Sequence, residues 1–164
     1  MPDGVLINTG TDFCGALIHR ARVGNEFEMR LEFSVEAKAK CCRRCDILFG
    51  WHEGFQEPMN MAVYGQSGQF PAEARFDCTY QRPSKDVKKG IPYVEKNKLL
   101  LRSTGGKITF TVNDQPAFTD HLPEGMNIGP ENGQVGVGST RWCILNKTSI
   151  TNIEVRKLVP GKGL

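Results

Sequence analysis

Lys98-Leu99-Leu100-Leu101-Arg102-Ser103-Thr104, Gly105-Gly106, Lys107-Ile108-Thr109-Phe110-Thr111-Val112 and Asn113-Asp114-Gln115-Pro116 follow one another without a break. In the middle run Ile108, Phe110 and Val112 alternate with Lys107, Thr109 and Thr111. Period-two alternation is the mark of a strand with one face buried and one in water. A Gly-Gly pair between two such runs predicts a tight hairpin with a primed turn, because glycine reaches positive φ without steric cost. Asn113 to Pro116 predicts the next turn. Downstream, Gly133-Gln134-Val135-Gly136-Val137-Gly138-Ser139 and Thr151-Asn152-Ile153-Glu154-Val155-Arg156-Lys157-Leu158 close the chain with two more strands.

Working back toward the N-terminus, the same pattern recurs. Phe27, Met29, Leu31, Phe33 and Val35 alternate with Glu26, Glu28, Arg30, Glu32 and Ser34, giving a central strand over 25–35. Each buried apolar side chain there is worth about 1.5–3 kcal/mol. The opposite face carries charges of both signs at two-residue spacing, which reads as cross-strand pairing in water. Shorter strands are predicted at 5–7, 16–22, 46–51, 61–64 and 74–80. Residues 36–45 break the pattern, with a helical turn over Ala37-Lys38-Ala39-Lys40. Residues 81–96 read as a long polar loop broken by Pro83 and Pro92. Many short strands separated by turn signals, with almost no helix, predict an all-β antiparallel sandwich of jelly-roll type. Its expected core is Phe27, Met29, Leu31, Phe33, Phe49, Phe76, Ile108, Phe110, Val112, Ile153 and Val155.

The 164 residues suit one domain spanning the whole chain, with 159–164 as a tail or linker. The 18 glycines and 9 prolines fall mostly between strand-like runs, so they are turn chemistry. A net charge of +3 is too small to argue for nucleic acid. The basic stretch from Arg82 to Lys98 has a single aromatic, Tyr93, and is diluted by Asp86 and Glu95. No apolar run approaches a membrane span. Met1-Pro2-Asp3-Gly4 has neither a basic region nor an apolar one, so no secretory signal is visible and a cytoplasmic location is the expectation.

The strand order resembles the concanavalin A-like jelly rolls, and within them the laminin-G-like branch that includes the 3-keto-disaccharide hydrolase family. Asn25-Glu26-Phe27-Glu28-Met29-Arg30-Leu31-Glu32-Phe33 is similar to that family's early strand, in which an aromatic leads into an L-E-F/Y run. Lys107-Ile108-Thr109-Phe110-Thr111-Val112-Asn113-Asp114 resembles its i-x-v-w-v-N-G hairpin. Gly133 to Gly138 and Ile150 to Leu158 resemble its G-x-I-G-L and closing strand. These motifs specify turns and core positions, so the resemblance implies a fold. Where the enzyme-like members carry N-S-G-I/V, this chain reads Arg44-Cys45-Asp46-Ile47-Leu48-Phe49-Gly50, which argues against hydrolase activity. Related sandwiches also occur as accessory domains of larger chains, and the resemblance is compatible with that setting as well.

Four places carry candidate chemistry. Cys41-Cys42-Arg43-Arg44-Cys45 has C-x-x-C spacing, suited to zinc or a redox disulfide. A second ligand pair is missing, so Cys78, His52 or Cys143 would have to complete a metal site. Free thiols in a surface loop, activated by Arg43 and Arg44, are the simpler reading. Cys14, Cys78 and Cys143 read as buried small hydrophobes. Paired carboxylates are the second candidate, but no E-x-D-x-x-E run is present, and Glu26, Glu28 and Glu32 share their face with Arg30. His121 beside Asp120 and His52 beside Glu53 read as loop polarity. The third candidate is a sugar platform, an apolar surface with a few convergent polar groups. Trp51, His52, Glu53, Tyr64, Arg75, Arg141 and Trp142, with Asp77, would form it if their strands share the concave sheet. Trp51 is in phase with Ile47 and Phe49, which also suits a core position. The fourth is the basic loop, read as solvated. The expectation is therefore a non-catalytic carbohydrate- or partner-binding module with no cofactor and no metal; the alternative is a glycoside hydrolase acting on a keto-disaccharide or related glycan.

Overall fold

The computed structural model describes residues 6–8, 15–37, 43–51, 59–66, 69–78, 86–121, 133–139 and 146–159. These residues form strands β1 (Leu6–Asn8), β2 (Gly15–Arg22), β3 (Phe27–Ala37), β4 (Arg44–Trp51), β5 (Met59–Tyr64) and β6 (Glu73–Cys78). The chain continues through β7 (Asp86–Lys89), β8 (Lys96–Thr104), β9 (Lys107–Val112), β10 (Gln115–His121), β11 (Gln134–Ser139) and β12 (Asn146–Lys157). They make two 6-stranded sheets, ordered β1-β12-β3-β8-β9-β10 and β2-β11-β4-β5-β6-β7. Every pairing is antiparallel.

The two decisive turns take the conformation their residues favour. Gly105 and Gly106 have φ of 56° and 77°, and Asn113 and Asp114 have 51° and 63°. Positive φ at both central residues is the two-residue hairpin geometry that matches strand twist. The second turn is thus Asn113-Asp114 alone, and Gln115 and Pro116 already belong to β10. Asn113 also ties down the segment before β8. Its Oδ1 accepts from the Lys98 amide at 2.8 Å, and its Nδ2 donates to the Asn97 Oδ1 at 3.0 Å and to the Pro92 carbonyl. Buried Asn97 in turn bonds both backbone groups of Val94, at 2.9 and 2.7 Å.

Register places apolar side chains in rows across the inner face of the first sheet. Val155, Met29, Leu101, Phe110 and Phe118 stand opposite one another on five neighbouring strands. Val137, Ile47, Met61 and Phe76 form the facing row in the second sheet. Phe27 and Phe49 meet between the sheets with centroids 6.2 Å apart, and Phe49 meets Phe76 edge-on at 5.8 Å. Of the expected core, only Ile153 and Val155 are less than fully buried, and both pack against it. The chain bulges between Thr151 and Glu154, where Asn152 has φ of 53°. On the outer face of the first sheet the carboxylates are paired. Arg30 bonds Glu28 at 2.9 Å, and Lys96 reaches Glu32 at 2.6 Å. The Lys96 bond holds the Glu32 carboxyl below the usual carboxylate range.

Several expectations need correction. The polar stretch 81–96 contains edge strand β7, and its Ile91 and Tyr93 turn back onto the core. Tyr93 sits edge-on to Phe33 at 5.9 Å, so it is not an open ring in a basic loop. His121 is the last residue of β10 rather than loop polarity. Its Nε2 lies 3.3 Å from Asp86 on β7, so one pair joins the edges of the two sheets. His121 also packs against Phe118 and Phe76. The strand over 27–37 runs through Ala37; the rest of the anticipated helical turn, 38–40, lies outside the described residues.

Cys45 is likewise not in a surface loop. It is the second residue of β4, free and 0% exposed within the core. Burial pushes its thiol well above the ordinary range, Asp46 adds to the shift, and Arg44 opposes it. The expectation that arginines activate this thiol therefore fails, because desolvation outweighs them. Cys14, Cys41, Cys42 and Cys143, and the side chain of Cys78, lie outside the described residues. Native protein treated with iodoacetamide at pH about 8.5, the ordinary thiol midpoint, should leave the Cys45 peptide unmodified in mass mapping; denatured protein should show it alkylated.

Gly65 provides a second check on packing. A Cβ there would lie 2.8 Å from two ring carbons of Tyr93 and 3.0 Å from the Cβ of Arg43. The Gly65 amide also donates to the Arg43 carbonyl at 2.7 Å, which fixes its backbone. Gly65→Ala should lower stability by about 1–3 kcal/mol, the usual cost of overpacking. In a Tyr93→Ala background the same change should cost markedly less, as denaturant titration of the four proteins would show.

Candidate functional site

The face of the second sheet turned away from the core is built by β4, β5 and β6. On β4 the core takes Cys45, Ile47 and Phe49, so alternation sends Arg44, Asp46 and Leu48 to the other face. Register then decides their neighbours. Arg44 stands opposite Tyr64, and Tyr64 opposite Glu73. One step along, Asp46 stands opposite Ala62, and Ala62 opposite Arg75. On the far side of β4, Asp46 and Leu48 face Gly138 and Gly136 of β11. Small residues flanking the charged row leave room for the long side chains to lie across the sheet.

Those side chains interlock. Arg44 donates from Nε to Asp46 Oδ1 at 2.6 Å and from Nη1 to the Tyr64 hydroxyl. The guanidinium carbons of Arg44 and Arg75 lie 4.7 and 4.8 Å from the centroid of the Tyr64 ring, reaching it from the two strands that flank β5. Arg75 donates from Nε to Glu73 Oε1 at 2.6 Å, and its Nη2 contacts the same oxygen. The result is a chain of contacts Asp46–Arg44–Tyr64–Arg75–Glu73. Asp46 is 0% exposed and Arg44 nearly so, whereas the Arg75 side chain is 39% exposed. A buried carboxylate is tolerated only with a close, hydrogen-bonded cation, which Arg44 provides. Arg75 is the member that water and solutes reach.

The connection between β5 and β6 starts beside this cluster. Its ends are held by the Gly65–Arg43 bond and by the Ala72 carbonyl, which accepts from Gly90 at 2.8 Å and Ile91 at 3.3 Å. Phe70, in that connection, is 67% exposed and is the most open large apolar side chain among the described residues.

Of the residues expected to bind, Tyr64 and Arg75 come together here. Trp51 ends β4 opposite Gln134. The register between β4 and β11 shifts just before it, and Gly50 there has φ of 70°. The side chain of Trp51, that of Asp77, and all of His52, Glu53, Arg141 and Trp142 lie outside the described residues. Sequence reading overlooked Arg44, Asp46, Glu73 and Phe70. In the sequence Arg44 stands out as a neighbour of cysteines and as the start of the segment that departs from N-S-G-I/V. The available signals were the alternation of Arg44 and Asp46 with the apolar residues of β4, and a phenylalanine isolated in a turn-rich stretch. Among the described residues, no group of three or more His, Cys, Asp or Glu is arranged to hold a metal.

No protein-family model and no curated protein matches the chain by sequence. Solved structures do match it by fold. A carbohydrate-binding module of family 66 from Bacillus subtilis superposes with a TM-score of 0.65 at 11% identity, covering 89% of this chain and 83% of the module. The galectin LEC-6 of Caenorhabditis elegans gives 0.53 at 12%, covering 90% and 95%. A glycoside hydrolase family protein from Mycobacterium thermorestibile gives 0.59 at 10%, covering 86% and 67%. Identities this low speak to architecture alone. Two antiparallel sheets, the absence of helix among the described residues and these neighbours together make the chain a concanavalin A-like β-sandwich.

Proposed function

We propose that the chain is a carbohydrate-binding β-sandwich module, non-catalytic, whose ligand lies across the outer face of β4, β5 and β6. The observation that carries this reading is the Asp46–Arg44–Tyr64–Arg75–Glu73 cluster, with Arg75 open to solvent and Phe70 exposed in the β5–β6 connection. Sugars are recognised by fixed donors and acceptors for their hydroxyls, set beside an apolar surface for their C–H faces. The cluster fixes its own rotamers through mutual bonds, so less conformational entropy is lost on binding. Proteins sharing the fold include a carbohydrate-binding module and a galectin, which favours the same reading. The Tyr64 ring is already occupied by two guanidiniums, so stacking falls to Phe70 and to Trp142, whose place in the site rests on sequence. His52, Glu53 and Arg141 belong to the proposal on the same footing, as does Trp51.

A hydrolase would need an acid and a base or nucleophile at a set separation. On this face one oxygen of Asp46 and one of Glu73 are each taken by an arginine, which suits recognition better than turnover.

Binding is best tested with a glycan array followed by calorimetric titration against the strongest neutral glycan on it. Arg75→Ala should weaken that glycan about tenfold, 1.4 kcal/mol, with an unchanged melting temperature. Trp142→Ala should weaken it by a comparable factor. Unchanged affinity in a folded Arg75→Ala protein would remove this face from the reading, and release of reducing sugar from the same glycan would replace the module with an enzyme. Asp46→Ala is expected to act differently. It strands buried Arg44 without its carboxylate and should cost about 3–5 kcal/mol of stability, seen as an early thermal melt.

A further inference from the structure

We infer that Glu73 restricts this face to uncharged glycans, by holding its accessible guanidinium in an internal ion pair. The inference rests on the carbohydrate reading above and names the chemical class of the ligand. Among the described residues of the cluster, two cations meet two anions: Arg44 is matched by Asp46, and Arg75 by Glu73. The first pair is buried, with side-chain exposures of 8% and 0%, so an incoming ligand meets the second pair. Arg75 turns both Nε and Nη2 onto the single oxygen Oε1 of Glu73. A carboxylate or sulfate drawn toward Arg75 therefore approaches a fixed negative charge within the same contact distance, and attraction and repulsion largely cancel. A hydroxyl meets no such conflict. It accepts from the guanidinium and donates to the carboxylate, so an Arg–Glu pair presents a donor and an acceptor side by side for neighbouring hydroxyls.

The register shows what removal of Glu73 would uncover. Glu73 stands between Tyr64 and Lys89, and Lys89 is exposed on edge strand β7. Without the Glu73 charge, Arg75 and Lys89 become two cations on adjacent strands with no described carboxylate between them. That arrangement would attract the acidic ligands the native face rejects.

The test is a glycan array carrying neutral, uronate and sulfated glycans, probed with the native protein, Glu73→Gln and Glu73→Gln/Arg75→Gln. Calorimetry on the leading probe of each class follows. Native protein should bind neutral glycans and ignore acidic ones of the same backbone. Glu73→Gln should bind the acidic probe at least about tenfold tighter than native protein does, and added salt should weaken that gain. The double variant should lose it. Thermal melts check folding, and Glu73→Ser serves as a second charge-removing variant if Glu73→Gln melts early. Equal native binding of acidic and neutral probes, or an unchanged preference in folded charge-removed protein, would overturn the inference while leaving the carbohydrate reading intact. Native protein that binds no glycan of any class would overturn both.

Discussion

The packing of two inner faces, built from Phe27, Phe110 and Met29 on one side and Phe49, Phe76 and Ile47 on the other, governs everything else in this molecule. Among the described residues no helix covers either sheet, so each sheet relies on the other to exclude water from its apolar rows. Strand periodicity then leaves no choice about the remaining residues. A side chain next to a core position must point to the other face, and a slip of one residue would invert both faces at once. The outer surfaces are therefore set by the core, although no outer residue contributes to it.

The edges and turns protect that packing. Asn113 joins the β9–β10 turn to the start of β8 and to the Pro92–Asn97 segment. That segment brings Ile91 and Tyr93 against the core. At one side of the sandwich the exposed edges are β7 and β10. Lys88 and Lys89 on β7 and Pro116 on β10 make these edges poor templates for another strand. The His121–Asp86 contact draws the same two edges together, so the side of the sandwich is closed by polar groups as well as by apolar contact.

The two outer faces use charge differently. On the first sheet each pair keeps its cation in water, Arg30 beside largely buried Glu28 and Lys96 beside Glu32, and such half-exposed pairs add little stability. On the second sheet, Asp46 and Arg44 are removed from water, and two arginines converge on one tyrosine. Burial there carries a desolvation cost that a plain apolar pair would avoid. The mutual bonds of this cluster, set on regular strands, fix its groups in one arrangement.

The sequence alone determined the strands whose alternation is uninterrupted, the Gly105-Gly106 hairpin, and the apolar positions that fill the core. These depend on local rules of pleat and turn, which residues two or three apart express directly. It concealed β7 and β10, because an edge strand half in water needs no alternating apolar face, and Pro116 reads as a turn residue and Asp120 with His121 as loop polarity. It also misplaced Cys45, whose spacing to Cys42 suggested a loop motif while its alternation with Ile47 and Phe49 put it in the core. Only the tertiary structure decided that Arg44, Tyr64 and Glu73 share one row and Asp46 and Arg75 the next. Those residues come from three strands separated by long connections. Pairing register, fixed by the packing of the opposite face, is the physical agent that brings them together.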